Sequence, residues 1–151
     1  MKMKKTSELG FELENTQSIY SFIKENESEF DEKNFYDFLA TLVRESGKSK
    51  TKIVDGACIS EPYLYDILRG EKRPSRDTVI KLAFGLAVDA ETASRLMMLA
   101  GYSGFYLRRK RDALLQFALQ NNMNIMEAEV LLAKHGFTIY SEINEKRSRW
   151  S

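Results

Sequence analysis

The chain has 151 residues and a formal net charge of +1, and its 43% hydrophobic and 30% charged residues describe a folded domain with a real core. A single cysteine excludes an internal disulfide and a cysteine-based zinc cage, and it suits a reducing cytoplasm. The chain has neither the apolar run of a signal peptide nor that of a transmembrane helix, so we expect a cytoplasmic protein without a membrane partner.

The N-terminal segment, residues 1–33, joins a basic start to an acidic stretch. Residues 1–10 are expected to be flexible, and the apolar spacing from Phe11 to Glu25 predicts one amphipathic helix. From Ser7 to Glu32 the chain contains eight acidic residues and one lysine, a net charge of −7, whereas the chain after that stretch has a net charge of +5. The acidic segment either tunes anion binding by the basic body or forms a solvated helix face.

A helix-rich domain is predicted for residues 34–101. Asn34 is a suitable N-cap for its first helix, and Gly47 is a suitable residue to end it. Between them, apolar residues at i, i+3, i+4, i+7 and i+8 form one core-facing stripe. This stripe contains Phe35, Phe38, Leu39, Leu42 and Val43.

Two short helices joined by a tight turn are predicted between Ser49 and Gly70. Ser49 and Ser60 are good N-caps, because a serine hydroxyl accepts from a backbone N–H one turn further on. We expect Cys58, in the turn, to be a small buried residue. Leu64, Ile67 and Leu68 form the predicted inward face of the second helix, and Glu61, Pro62, Tyr63, Tyr65, Asp66 and Arg69 form its outward face. Such a pair packs at a steep angle as a helix-turn-helix, with the second helix presented outward.

This stretch resembles the lambda-repressor-like (XRE/Cro-type) helix-turn-helix domains over roughly Asn34 to Gly101. The residues that carry the resemblance are Gly47-Lys48-Ser49-Lys50, Ile53-Val54, Cys58-Ile59-Ser60, Leu64, Arg69-Gly70, Lys72-Arg73-Pro74-Ser75 and Val79-Ile80-Lys81-Leu82-Ala83. Two positions depart from the family: Val54 replaces a small residue, and Cys58 replaces the glycine of the turn. A non-glycine residue at Cys58 implies either a strained positive φ or a remodelled turn.

The resemblance implies a sequence-specific transcriptional regulator that occupies a two-fold operator on double-stranded DNA as a homodimer, associated with the nucleoid when bound. Ser49 and Lys50 are the expected phosphate contacts at the first helix. The expected groove-facing residues are Ser60, Glu61, Tyr63, Tyr65 and Asp66, and the expected basic shoulder is Arg69, Lys72, Arg73 and Arg76.

The outward face of the second helix favours an alternative function. It lacks the Arg, Gln or Asn side chains that bond base edges bidentately, and it carries two acids, Glu61 and Asp66. Tyrosines are also common at the centres of protein interfaces. The alternative is therefore a protein–protein interaction module that keeps the helix-turn-helix fold without binding DNA, using Tyr63 and Tyr65 or the patch at 108–111.

After Pro74 the chain repeats itself at an offset of 35 residues. Residues 75–103 and 110–138 share six identities in 29 aligned positions, and the helix signals agree as well. Asp89 and Asn124 are matching N-caps, and Gly101 and Gly136 are matching helix ends. Each copy therefore predicts a helical hairpin, 76–87 with 90–100 and 111–122 with 125–135. The full prediction is an all-α, lambda-repressor-like bundle with an N-terminal helix and a C-terminal hairpin extension at 102–140, which enlarges the core or supplies the dimer surface.

The remaining candidates for chemistry are few. Arg108, Arg109, Lys110 and Arg111 form the densest positive patch, suited to phosphate, an acidic partner or the acidic N-terminal segment. His135 precedes a helix-ending glycine, where a cation complements the helix dipole. The sequence has no phosphate-binding glycine loop and no set of residues with metal-ligand spacing, so we expect neither enzyme activity nor a cofactor. Residues 141–151 form a basic tail with an isolated Trp150.

Overall fold

The computed structural model of the protein describes residues 4–30 and 34–139. All regular structure in these two ranges is helical, as the sequence predicts. The helices are α1 (Thr6–Asn15), α2 (Ile19–Glu25), α3 (Phe35–Glu45), α4 (Lys50–Ala57), α5 (Glu61–Leu68), α6 (Arg76–Leu86), α7 (Ala90–Leu99), α8 (Lys110–Gln120) and α9 (Ile125–Lys134), with a short 3-10 turn at Glu27–Glu29. Among the described residues, none of these helices is long and apolar enough to cross a membrane. The predicted tail, with Trp150, lies outside the described residues.

The chain divides into two compact units, residues 1–33 and 34–151. In the first unit the structure has two helices where the sequence analysis predicts one. The chain leaves α1 at Thr16, whose hydroxyl donates to the carbonyl of Ser18, and Ser18 then caps α2 by accepting from the amide of Ser21. The predicted flexible start is also wrong in part, because α1 begins at Thr6 and the Lys4 ammonium donates to Glu12 and Asn26.

Helix α6 is the centre of the second unit. Every residue from Asp77 to Leu86 is buried, and α4, α7 and α9 all pack against this helix. The packing of α4 on α6 is the most extensive and is also very close. A Cβ atom at Gly85 of α6 would lie 2.4 Å from the carbonyl oxygen of Ile53, and one at Gly56 of α4 would lie 3.1 Å from Gly85 Cα. The two glycines therefore allow the helix backbones to touch.

The predicted N-caps are confirmed throughout the second unit. Each cap accepts a hydrogen bond from the backbone N–H three residues on, which satisfies one of the free donors of the first turn. The donor–acceptor distances are 2.9 Å at Asn34, 3.1 Å at Ser49, 3.2 Å at Ser60, 2.8 Å at Asp89 and 2.8 Å at Asn124. At Asn124 the Glu127 side chain also accepts from the cap's own amide, which completes a capping box.

Of the two conformations that the sequence leaves open for the turn after α4, a positive φ at Cys58 or a remodelled turn, the structure has the positive φ. Cys58 is left-handed, with φ 54°, and the amide of Ile59 donates to the carbonyl of Val54, so the helix ends in a Schellman motif without a glycine. The prediction that Cys58 is buried is wrong. Its side chain lies outside the contact between the helices, and the residue is an exposed free cysteine.

The two hairpins, α6–α7 and α8–α9, follow the 35-residue repeat down to single hydrogen bonds. Arg76 Nε donates to Ser103 O at 3.1 Å, and its equivalent, Arg111 Nε, donates to Thr138 O at 2.9 Å. The first helices of both hairpins also end alike, with φ of 55° at both Ala87 and Asn122.

Charged pairs join the two hairpins reciprocally. Arg76 of the first copy pairs with Asp112 of the second at 2.9 Å, and Arg111 of the second pairs with Asp77 of the first at 2.9 Å. The helices follow the same reciprocal pattern, because the first helix of each hairpin contacts the second helix of the other: α6 packs on α9, and α8 packs on α7. Such reciprocity is the mark of a two-fold relation, in which each partner presents the same residues to the other. The repeat is therefore a pseudo-two-fold pair of hairpins, and not a step of a solenoid.

Candidate nucleic-acid interface

Helices α4 and α5 are joined by three residues, Cys58 to Ser60, and α5 lies at the surface of the second unit. Its inward side chains Leu64 and Ile67 are fully buried in the core, as predicted, and Leu68 is partly buried. Gly70 adopts φ 76° and the amide of Glu71 donates to the carbonyl of Asp66, which ends α5 as predicted.

The two tyrosines of the outward face differ in exposure. Tyr65 is 41% exposed, whereas Tyr63 is half-buried and packs partly against the core. A lysine ammonium lies over each ring: Lys50 Nζ is 5.5 Å from the centre of the Tyr65 ring, and Lys72 Nζ is 5.8 Å from the centre of the Tyr63 ring. Such cation–π contacts fix the direction of a long side chain without using its N–H donors. The Lys50 ammonium therefore remains able to bind an anion, whereas the Lys72 ammonium is also paired with Asp66.

Of the two acids on this face, Asp66 is held by its own neighbours. Asp66 pairs with Arg69 at 2.6 Å and with Lys72 at 3.3 Å, and Arg69 also reaches Glu71 at 3.2 Å. Arg69 donates a hydrogen bond to the Glu71 carboxylate, and this bond and the charge of Glu71 raise the pKa of the Arg69 guanidinium. These pairs are mostly exposed and contribute little to stability. They neutralise an acid that would otherwise repel phosphate.

Arg73 is partly turned toward the core of the second unit. Its guanidinium donates to the carbonyl of Ala100 at 2.9 Å and lies 5.1 Å from the centre of the Tyr102 ring. The Tyr102 hydroxyl in turn donates to the carbonyl of Pro74 at 2.7 Å, which holds this corner to the end of α7. Arg73 is nevertheless exposed overall. It is therefore a structural residue whose remaining donors face solvent.

Arg76 does not belong to the predicted basic shoulder. It bonds both oxygens of Asp112, at 3.1 and 2.9 Å, and also the carbonyls of Ser103 and Gly104. This set uses four of the five N–H donors that a guanidinium has. Asp112 is buried, and it also accepts from the amide of Tyr106. The side chain thus serves the joint between the hairpins, and a phosphate contact by Arg76 is corrected to a structural role.

The predicted cationic patch at 108–111 is also smaller than expected. Arg111 pairs with Asp77 and donates to Thr138, and within the described residues its Nη2 atom is buried without a hydrogen-bond partner. Arg108, Arg109 and Lys110 remain exposed. Arg109 lies 6.0 Å from the centre of the Tyr106 ring, so this part of the patch combines cations with an exposed aromatic side chain.

Sequence reasoning missed the contact that sets the position of α4. Lys48 Nζ donates to the carbonyl of Gly85 at 3.3 Å, at the point where α4 and α6 approach most closely. The available signal was a glycine in the last turn of each helix, because a glycine within a helix weakens it unless close packing requires it. The approach of Gly56 to Gly85 fixes the base on which α5 is presented.

Other groups that carry chemistry are dispersed. No group of three or more His, Cys, Asp or Glu side chains in the described ranges is placed to hold a metal ion. His135 lies at the C-terminal end of α9, where the sequence places it, with Nδ1 3.1 Å from the carbonyl oxygen of Leu131.

Comparison of the chain with models of known protein families, with curated proteins and with solved structures found no match.

Proposed function

We propose that the protein is a DNA-binding transcriptional regulator of the lambda-repressor-like helix-turn-helix type, which occupies an operator as a homodimer with α5 in the major groove. The proposal rests on one observation above all. Two capped helices of eight residues, α4 and α5, are joined by three residues, and the outward face of α5 is flanked by two lysines whose ammonium groups are free of acids or held only loosely.

The small net positive charge around α5 is compatible with DNA binding but contributes little to it. Between Lys48 and Arg76 seven basic residues oppose four acidic residues. Six basic residues remain once Arg76 is assigned to the contact between the two hairpins. A net charge near +2 gives a weak electrostatic contribution, so specific binding needs a second half-site. A two-fold dimer supplies it, since dimeric helix-turn-helix proteins place two such helices about one turn of DNA apart.

Lys50 and Lys72 are the residues assigned to phosphate. Lys50 begins α4 beside the Ser49 cap, where the free amides of a helix N-terminus also attract anions. Lys72 follows α5 and shares Asp66 with Arg69, so a phosphate would replace Asp66 as its partner. Tyr65, the more exposed tyrosine, is the residue assigned to base edges or to a thymine methyl group.

Fluorescence anisotropy with a random-sequence DNA duplex, at salt concentrations from about 50 to 200 mM, tests the proposal. The affinity should fall as salt rises, and the double variant Lys50→Ala/Lys72→Ala should reduce the slope of log K against log salt by about 2 for each bound subunit, and so by about 4 for the dimer, one unit for each lost phosphate contact. The matched control is Arg44→Ala/Lys134→Ala, which removes the same charge from exposed positions on α3 and α9.

The control separates a specific interface from general attraction. If both double variants lower the slope equally, the contact is not at α5. If the wild type does not bind at about 50 mM salt, the DNA-binding function is wrong. The interaction module that uses the Tyr63 and Tyr65 surface would then be the better account, and capture of a protein partner that Tyr65→Ala abolishes would establish it.

A further inference from the structure

The 35-residue repeat extends to the segments that lead into its two hairpins. At the same offset, residues 72–75 before α6 correspond to residues 107–110 before α8. The first segment contains Lys72 and Arg73, two cations of the predicted basic shoulder. The second contains three cations, which we call the basic loop: Arg108, Arg109 and Lys110. Each hairpin is therefore preceded by a cluster of positive charge.

The joint between the hairpins brings these two clusters together. The first turns of α6 and α8 each carry one arginine and one aspartate, which pair across the joint: Arg76 with Asp112, and Arg111 with Asp77. The Arg76 guanidinium also donates to the carbonyl of Gly104, in the segment that leads into α8. Lys72 lies four residues before Arg76, and the basic loop ends directly before Arg111. Both clusters therefore adjoin the same joint.

The basic loop presents its charges to solvent. Its three side chains are exposed, and none of them forms an ion pair with a residue that the structure describes. The Arg109 guanidinium lies 6.0 Å from the centre of the Tyr106 ring, a contact that leaves its N–H donors free. From Thr92 to Arg111 the chain contains five basic residues and no acidic one. The positive charge of the loop is thus not balanced along the chain.

Two acids lie near this segment of the chain, and they do not neutralise the basic loop. Asp112 is buried and is already bound by Arg76 and by the backbone amide of Tyr106. Glu91 of α7 lies one helical turn before Ser94, whose hydroxyl accepts from the amide of residue 105. Glu91 is a single, partly buried acid, and it leaves a clear excess of positive charge beside three exposed cations.

These cations are unfavourable for the helix that they precede. Arg109 is the N-cap of α8 but makes no capping hydrogen bond through its side chain, and Lys110 is the first residue of the helix. The N-terminus of a helix is the positive end of its dipole, where cations are disfavoured. By contrast, α6 begins with the neutral cap Ser75, which accepts from the amide of Thr78. The charge before α8 therefore does not stabilise the fold, and it favours an anionic ligand.

We infer that the basic loop binds the sugar–phosphate backbone of the DNA duplex that α5 contacts, and so extends the phosphate-binding surface of Lys72 across the joint. This inference rests on the proposed function and deepens it. Duplex DNA carries about one negative charge per 1.7 Å of its axis, so a second group of cations adjoining the first meets further phosphates of the same duplex. Contacts of this kind add affinity and fix the orientation of the protein without reading sequence.

An anionic membrane surface is the other large array of negative charge, and the basic loop fits it less well. Surface binding by a protein segment normally combines cations with the apolar face of an amphipathic helix. The apolar side chains beside the basic loop are Tyr106 and Leu107, which are 52% and 58% exposed and lie in a turn. Two such side chains give little apolar area, whereas the position beside Lys72 needs no further feature to favour DNA.

The salt dependence of binding to a random-sequence duplex tests the inference. The triple variant Arg108→Ala/Arg109→Ala/Lys110→Ala should reduce the slope of log K against log salt by about 3 for each bound subunit, one unit for each lost phosphate contact. The matched control is Lys24→Ala/Arg44→Ala/Lys134→Ala, which removes the same charge from exposed positions elsewhere and should leave the slope unchanged. Urea denaturation should show that the triple variant is no less stable than the wild type, because it removes cations from the start of α8.

Comparison with Lys50→Ala/Lys72→Ala separates the two proposals. If that double variant lowers the slope and the triple variant does not, the inference is wrong and the proposed function stands. If only the triple variant lowers the slope, the basic loop binds DNA and the assignment of α5 to the major groove is wrong. A wild type that does not bind DNA at about 50 mM salt removes both proposals.

Co-sedimentation with vesicles of phosphatidylcholine and phosphatidylserine in equal parts tests the membrane alternative. The wild type should stay in the supernatant at a salt concentration at which it binds DNA. Vesicle binding that the triple variant abolishes, together with an unchanged slope on DNA, would overturn the inference and assign the basic loop to an anionic lipid surface.

Discussion

Substituting Gly85 by alanine tests the account of how α4 is positioned. Alanine is the better helix former, by about 1 kcal/mol, so local propensity alone predicts that Gly85→Ala stabilises α6. The structure predicts the opposite. The new methyl group would lie 2.4 Å from the Ile53 carbonyl oxygen, 2.9 Å from Ala57 Cβ and 3.0 Å from the Ala57 amide nitrogen.

The size of the effect follows from what must move. Two of these three atoms belong to the backbone of α4, so no rotamer change relieves the overlap. An ordinary contact requires α4 to retreat by about 1 Å, and overpacking of this kind costs about 1–3 kcal/mol. After the gain in helix propensity, we expect no net gain and a loss of up to about 2 kcal/mol in the free energy of unfolding.

Urea denaturation followed by circular dichroism measures this loss. Gly56→Ala is the matched control in the same contact, because its methyl group would meet Gly85 Cα at 3.1 Å and needs a shift of a few tenths of an ångström. Its overlap and its propensity gain should nearly cancel, leaving stability within about 0.5 kcal/mol of the wild type. If Gly85→Ala is more stable than the wild type by about 1 kcal/mol, as helix propensity alone predicts, α4 and α6 are not in the close contact described above.

Three further substitutions address the joint, the turn and the buried lysine. Asp112→Ala leaves the guanidinium of Arg76 without its counter-charge and should lower the free energy of unfolding by about 2–3 kcal/mol; a double-mutant cycle with Arg76→Met should show strong coupling, and additive losses would exclude the pair as a joint. Cys58→Gly relieves a left-handed residue and should raise stability by about 0.5–1 kcal/mol, whereas an unchanged or lower midpoint in urea would mean that the turn is not strained. Burial lowers the pKa of Lys81 from 10.5, so the folded state binds fewer protons than the unfolded state between the two pKa values, and wild-type stability gains with rising pH. Lys81→Met lacks this gain, so the stability of the wild type relative to Lys81→Met should rise toward pH 10.5, and a constant difference would contradict the lowered pKa.

Local chemistry allowed most helix boundaries to be read from the sequence. Asn34, Ser49, Ser60 and Asn124 are caps because their side chains satisfy amides three residues away, an interaction that needs no knowledge of the fold. The periodic apolar residues of α3 and α5 are buried or partly buried, as their helical spacing predicts. The 35-residue repeat was visible through its caps and glycines, even though the identity between the copies is low.

Contacts between distant residues could not be read in the same way. The pairing of Arg76 with Asp112 depends on how the two hairpins pack. From the sequence alone, a basic residue that follows a helix-turn-helix motif is equally compatible with a phosphate contact. The burial predicted for Cys58 is wrong: the residue ends α4 in a left-handed turn and is exposed. The break between α1 and α2 was a local feature that was missed: Ser18 is a cap of the same type as Ser49.

The reciprocal joint has a consequence for how the protein would read DNA. Arg76–Asp112 and Arg111–Asp77 tie α8 to α6 at two points, and α6 carries α4 through the contact at Gly85. Helix α8 is therefore connected to α4, and through α4 to α5, by packing within the second unit. If the two copies of the proposed homodimer meet through α8 and α9, this packing and not a flexible linker sets the distance between the two copies of α5. Such a dimer accepts one half-site spacing and rejects the others, because DNA presents the same groove face only once per helical turn.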